Sequence, residues 1–111
     1  MTAADFIDSF NALAYNANAN AHAKGFYDMP HEFGTRVALI HSELSEALEG
    51  FRQGNPASEH IPTYSAIEEE LADVIIRIMD LSAEKGYRVA GAVIAKMAFN
   101  TTRPYRHGKL I

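Results

Sequence analysis

Apolar residues recur at intervals of three and four along most of this chain, the spacing that gives a helix one oily side. From Ala3 to about Lys24 the series Phe6, Phe10, Leu13, Ala14 and Ala17 follows that rule, and Gly25 supplies a stop. The second half of this segment, Asn16-Ala17-Asn18-Ala19-Asn20-Ala21, alternates small and polar residues but lacks the β-branched residues of a strand, so it is read as helix. A second helix is predicted after Pro30, whose missing N–H suits a first turn, with Phe33, Val37, Ile40, Leu44, Ala47, Leu48 and Phe51 as its stripe. The stretch Arg52 to Ile61 gathers Gly54, Asn55, Pro56 and Ser58 and reads as the main loop.

Pro62 is predicted to open the third helix. Its stripe is Ile67, Leu71, Val74, Ile75, Ile78 and Leu81, and Gly86 ends it. Glu68, Glu69 and Glu70 suit the positive end of its dipole and Lys85 the negative end. A fourth helix from about Arg88 to Thr102 carries Val89, Ala92, Val93, Ala95, Met97 and Phe99, and Pro104 closes it. The tail Tyr105 to Lys109 is basic and too short to fold by itself. With no repeat and no second domain in view, the expectation is one all-α domain over residues 1–111, built from four helices.

Composition narrows the setting. A chain of 111 residues with 48% hydrophobic and 22% charged content is that of an ordinary globular domain. So short a chain buries a smaller fraction of its surface than a larger domain would, which makes packing against another copy a natural way to complete the core. A formal charge of -4, from 14 acids against 10 Lys and Arg, argues against a nucleic-acid polymer as partner while leaving free nucleotides open. There is no cysteine, no basic start followed by an apolar run, and no stretch long enough to span a membrane, so the cytoplasm is the expected location.

Two acidic pairs stand out against this background: Glu43-Leu44-Ser45-Glu46 and Glu70-Leu71-Ala72-Asp73. Positions three apart share a helix face, so each pair sets two like charges side by side. Such pairs need a cation or water. At about 100° per residue, both pairs are displaced to the same side of their apolar stripes. An antiparallel hairpin then puts the first acid of each pair at the edge of the shared core and lets the second converge on a cleft. Leu39 and Ile76 lie off the main stripes and call for cover from a third helix or a second subunit. An all-oxygen ligand set fits magnesium or manganese far better than zinc. Solvated surface acids are the plain alternative.

Other residues say less. His22, His31, His41, His60 and His107 show no HExxH spacing, and His41 lies about 200° round the helix from Glu43. Arg77, one turn after Asp73, is read as pairing with an acid, and Phe26 and Tyr27 as core packing in preference to lining a base pocket.

Taken with Lys96-Met97-Ala98-Phe99-Asn100-Thr101-Thr102-Arg103-Pro104-Tyr105-Arg106-His107-Gly108-Lys109, and with His41-Ser42 and His60-Ile61-Pro62 before the acidic helices, the two acidic motifs resemble a short, single-domain MazG-like nucleotide pyrophosphohydrolase of the all-α NTP pyrophosphatase superfamily. The likeness runs from Ala23 onward. It implies a MazG-like four-helix bundle completed by oligomerisation, as a homodimer or homotetramer, and magnesium-dependent hydrolysis of a nucleoside triphosphate to monophosphate and pyrophosphate. By position it implies metal-binding places for Glu43, Glu46, Glu70 and Asp73; on chemical grounds one of these four, Glu43 or Glu46 before the others, would accept the proton of the attacking water. Lys96, Asn100, Arg103 and, more weakly, Lys109 take places associated with substrate phosphates or the nucleotide. The single copy and the lack of tryptophan leave the nucleobase open. A rival from another class is a non-catalytic helical module in which the acids hold a structural ion.

Overall fold

The computed structural model describes every residue from Met1 to Ile111. It is all-helical: α1 (Ala3–Ala23), α2 (Phe33–Arg52), α3 (Ala66–Lys85) and α4 (Val89–Asn100) are followed by a short 3-10 turn at Tyr105–Gly108. Beyond the helices there is one isolated antiparallel bridge, Ala57 to Ser65. No helix is long and apolar enough to cross a membrane.

Helix starts follow local chemistry. Thr2 caps α1 reciprocally with Asp5: the Asp5 N–H donates to Thr2 Oγ1 at 3.0 Å and the Thr2 N–H donates to Asp5 Oδ2 at 2.9 Å. Ser65 and Glu68 do the same for α3, at 3.2 and 2.9 Å. This places the start of α3 four residues later than the proline signal predicts, with the turn held by Ser58 N–H on Tyr64 O and Ala66 N–H on Pro56 O. Pro62 therefore lies in the turn. Pro30 likewise precedes α2, whose N-cap is Glu32. In the tail, Arg106, His107 and Gly108 all take positive φ within the Tyr105–Gly108 turn.

α2 and α3 form an antiparallel hairpin, α1 packs on α3, and α4 packs on α1. Gly50 of α2 sets the closeness of the hairpin, since a Cβ there would meet Ala66 Cβ at 3.3 Å. Near the other end Phe33 meets Tyr87 edge to face at 6.5 Å. Gly86 ends α3 with a φ of +71°, a left-handed value that glycine takes without steric cost.

The four-helix pattern read from the sequence is present, but the apolar stripes are not closed. Only Ala14 and Ala90 are buried hydrophobic residues. Leu44, Leu48, Phe51, Leu71 and Ile75, all on predicted core stripes, are exposed. The radius of gyration is 16.2 Å, against about 13 Å for a compact chain of this length. Helices packed chiefly in the order α2 on α3 on α1 on α4 leave apolar sides without a close partner.

Candidate metal centre

The antiparallel hairpin turns Glu43 of α2 toward Glu70 and Asp73 of α3. Each offers one oxygen within 4.8 Å of the others. Asp73 and Glu70 are one turn apart and so share a face, and the close approach at Gly50 brings α2 near enough for Glu43 to join them. Arg77, one further turn along α3, crosses to α2 and donates from Nε to Glu43 Oε1 at 3.0 Å. It pairs with an acid, on the neighbouring helix.

Partial burial and crowding act on how these acids hold their protons. Burial, a hydrogen bond with Glu43 and the charges of Asp73 and Glu43 push the Glu70 carboxyl up to about 7. Burial and the Glu43 charge likewise raise Asp73, with Arg77 opposing. Glu69 behaves in the opposite way. Hydrogen bonds from Ser58 Oγ at 2.5 Å and from His60 Nδ1 at 2.7 Å hold it below the usual carboxylate range. The run Glu68-Glu69-Glu70 is thus divided among a helix cap, a loop clamp and the acid cluster.

Glu46 does not join the group of three; it is exposed one turn along α2. The basic set lies elsewhere as well. Lys96 Nζ sits 4.7 Å from the Phe99 ring centre and the Arg103 guanidinium 5.7 Å from it, so two cations gather around one α4 aromatic. Asn100 Oδ1 is buried without a hydrogen-bond partner, and Lys109 is exposed in the tail. None of these four lines the cavity that contains the acids.

That cavity, about 340 Å³, lies between α1, the α1–α2 connection and the hairpin. Its walls include Glu43, Asp73, Arg77 and Asp80 with Arg36, Asn20, His31 and Phe26. Phe26 is exposed and lines this cavity, in contrast to the core packing expected of it.

Sequence reasoning missed the polar network beside the acids. Asp80 Oδ1 accepts from Tyr27 OH at 2.8 Å and from Asn18 Nδ2 at 2.9 Å. Glu84 Oε1 accepts from Asn18 Nδ2 at 3.0 Å and lies 2.7 Å from His22 Nε2. Burial and the Asp80 contact push the Tyr27 phenol up to about 12. Arg36 lays its guanidinium over the Tyr27 ring at 4.2 Å, and its Nε is buried without a partner. A signal existed, because Asp80 falls two turns after Asp73 and shares its face.

Glu43, Glu70 and Asp73 could offer a cation three oxygen donors and no nitrogen or sulfur, the donor chemistry that suits a hard divalent ion such as magnesium or manganese. Comparison with protein-family models, curated proteins and solved structures found no match.

Proposed function

We propose that the chain is a magnesium-dependent nucleoside triphosphate pyrophosphohydrolase of the MazG-like kind, cleaving between the α and β phosphates to release monophosphate and pyrophosphate, with manganese as an alternative ion. The observation that carries the reading is the convergence of Glu43, Glu70 and Asp73 from two helices, where burial together with the neighbouring acids pushes Glu70 up to about 7. Carboxylates pressed together at such a cost in repulsion are relieved by a divalent cation, and a triphosphate brings the same need for one.

In this reading Glu43, Glu70 and Asp73 hold the ion and Glu46 completes the set. Held by these carboxylates, magnesium would supply screening of phosphate charge and a lowered pKa for a neighbouring water. Glu43 or Glu46 accepts the proton of the attacking water, and Arg77 keeps Glu43 oriented until the cavity fills. Lys96, Asn100 and Arg103, with Lys109, are assigned to the phosphates of substrate and leaving group. The proposal includes a cytoplasmic setting, which the lack of cysteine supports, and a homodimer or homotetramer, which the open stripes support.

The second reading is a non-catalytic module stabilised by the same ion. One observation favours it: Lys96, Asn100, Arg103 and Lys109 stand outside the acid cavity. The two separate in a panel of nucleoside triphosphates incubated with magnesium, with phosphorus NMR resolving the products. The hydrolase yields monophosphate and pyrophosphate. Folded protein that turns over no member of the panel, or that releases diphosphate and phosphate, rules the proposal out.

A further inference from the structure

Arg36 is a cation without a partner. It stands in the first turn of α2 with its guanidinium over the Tyr27 ring at 4.2 Å, its Nε is buried, and it makes no hydrogen bond or ion pair within the chain. The acids near it are engaged elsewhere. Asp80, which borders the same cavity, accepts from Tyr27 and Asn18 through Oδ1, and Glu84, whose carboxyl feels the Arg36 charge, is held by Asn18 and His22. Stacking on Tyr27 fixes the plane of the guanidinium and leaves free its edge, which carries the donors. An unpaired charge kept partly out of water costs stability, so it calls for an anion that the chain itself does not supply. Arg77 borders the same cavity. It donates only from Nε, to Glu43 Oε1 at 3.0 Å, so its terminal amino groups are also unpaired.

We propose that Arg36 and Arg77 form a phosphoryl-binding subsite in this cavity and that Arg77 reaches it by exchange: it neutralises Glu43 until a divalent ion takes that carboxylate over, then turns to join Arg36 on the anion. A divalent ion at Glu43 stands beside the guanidinium that now holds the same carboxylate, and like charges at that range repel. Arg77 is 35% exposed, which leaves it room to turn. Ion and anion each draw Arg77 away from Glu43, so each strengthens the binding of the other. The tetrahedral shape of a phosphoryl group lets it offer one edge to a guanidinium fork and a further oxygen to the ion, which a planar carboxylate cannot do at once. A cavity of about 340 Å³ is at the lower end of the ~300–1,000 Å³ of small-molecule sites, a size for a diphosphate and its ion with any nucleoside lying beyond. Lys96, Asn100, Arg103 and Lys109 do not border it, so this subsite is separate from theirs. The inference rests on the hydrolase reading for the presence of a phosphate-bearing ligand and not for its cleavage.

Equilibrium dialysis of radiolabelled inorganic pyrophosphate against the full chain, with and without magnesium, tests it. Wild type is expected to bind saturably with magnesium and about tenfold or more weakly without it. No binding with magnesium, or binding that ignores magnesium, overturns the inference. Arg36→Met is expected to weaken pyrophosphate binding by about tenfold or more while its melting temperature stays at or above that of wild type, because an unpaired charge has been removed. Should that variant lose its helical circular dichroism, Arg36→Lys, which keeps the charge and loses the fork, decides by the same measurement. An affinity within about twofold of wild type in the folded Arg36 variant overturns the inference. Arg77→Gln is expected to move two affinities in opposite directions, with pyrophosphate bound more weakly and manganese alone, followed by electron paramagnetic resonance, bound more tightly. Manganese bound equally or less well by Arg77→Gln overturns the exchange. Malonate that displaces the label as well as unlabelled pyrophosphate does overturns the phosphoryl assignment. Turnover is scored separately: a chain that hydrolyses no triphosphate but binds pyrophosphate through Arg36 keeps the subsite and loses the hydrolase reading, and an active chain indifferent to Arg36 does the reverse.

Discussion

The two faces of the α2–α3 hairpin are built from adjacent residues and obey opposite rules. Glu43 and Leu44 are neighbours in sequence, as are Glu70 and Leu71, yet one of each pair meets its counterpart across the hairpin and the other is exposed on the back. A turn of about 100° per residue is enough to do this. On the front, carboxylates are partly buried together, and burial, a hydrogen bond with Glu43 and the neighbouring charges push Glu70 up to about 7. On the back, apolar side chains that attract one another have nothing to meet. Both faces are unfavourable in the lone chain; in the proposed reading a cation would relieve the front, while the back would need another apolar surface.

Removing one front acid is the harshest way to break this comparison. Asp73→Ala is expected to lower the rate of triphosphate hydrolysis by about 10³-fold or more, a loss of ~4 kcal/mol or more of transition-state stabilisation. Circular dichroism should remain that of the parent, because the acid contributes repulsion to the fold and little packing. A rate within tenfold of wild type would remove Asp73 from the site.

Withdrawing the ion acts on the same face with less force. Chelation is expected to stop turnover and to lower the melting temperature, and added magnesium to restore both, since an ion bound only by the folded state stabilises it by mass action. A melting temperature indifferent to magnesium would leave the front acids as solvated surface.

Glu70→Gln sharpens the comparison through pH. The Glu70 carboxyl titrates higher in the folded chain than in the unfolded one, so the folded state holds the proton more tightly. Stability without metal should therefore fall as pH rises from the ordinary carboxylate range through about 7. Glu70→Gln should flatten that part of the profile, which thermal melts between pH 5 and 8, a range chosen around these values, would reveal. A Glu70→Gln profile with the wild-type slope would assign the effect to another group.

The smallest effect belongs to neither face. Ser65→Ala removes the hydroxyl that caps α3 and should cost about 1 kcal/mol in chemical denaturation, leaving metal affinity unchanged. A change in metal affinity from this variant would mean that the cap also sets the positions of Glu70 and Asp73.

Helices were the most legible feature of the sequence because their period is local: α1 to α4 fall close to where Phe6 to Ala17, Phe33 to Phe51, Ile67 to Leu81 and Val89 to Phe99 place them. Pro62 misled because proline marks a break without saying on which side of it the helix begins, and the Ser65–Glu68 capping box decided the matter. Of the four acids, angular arithmetic expected the second of each pair to converge, whereas Glu43, the first of its pair, meets Glu70 and Asp73 and Glu46 stays exposed outside the group, because which oxygens meet depends on the approach fixed by Gly50 against Ala66. The Asn18, Tyr27 and Asp80 contacts join residues more than fifty positions apart, and no local pattern encodes them. The open back face was hidden for a related reason: a stripe states that a side must be covered and does not name the cover.

Titration of manganese into the metal-free protein, followed by the electron paramagnetic resonance of the free ion, addresses the central claim most directly. The account predicts saturable binding by wild type that is lost in a Glu43→Gln and Asp73→Asn double variant of unchanged helical content. Manganese that remains free in the presence of wild type, or that binds the double variant equally well, would contradict it.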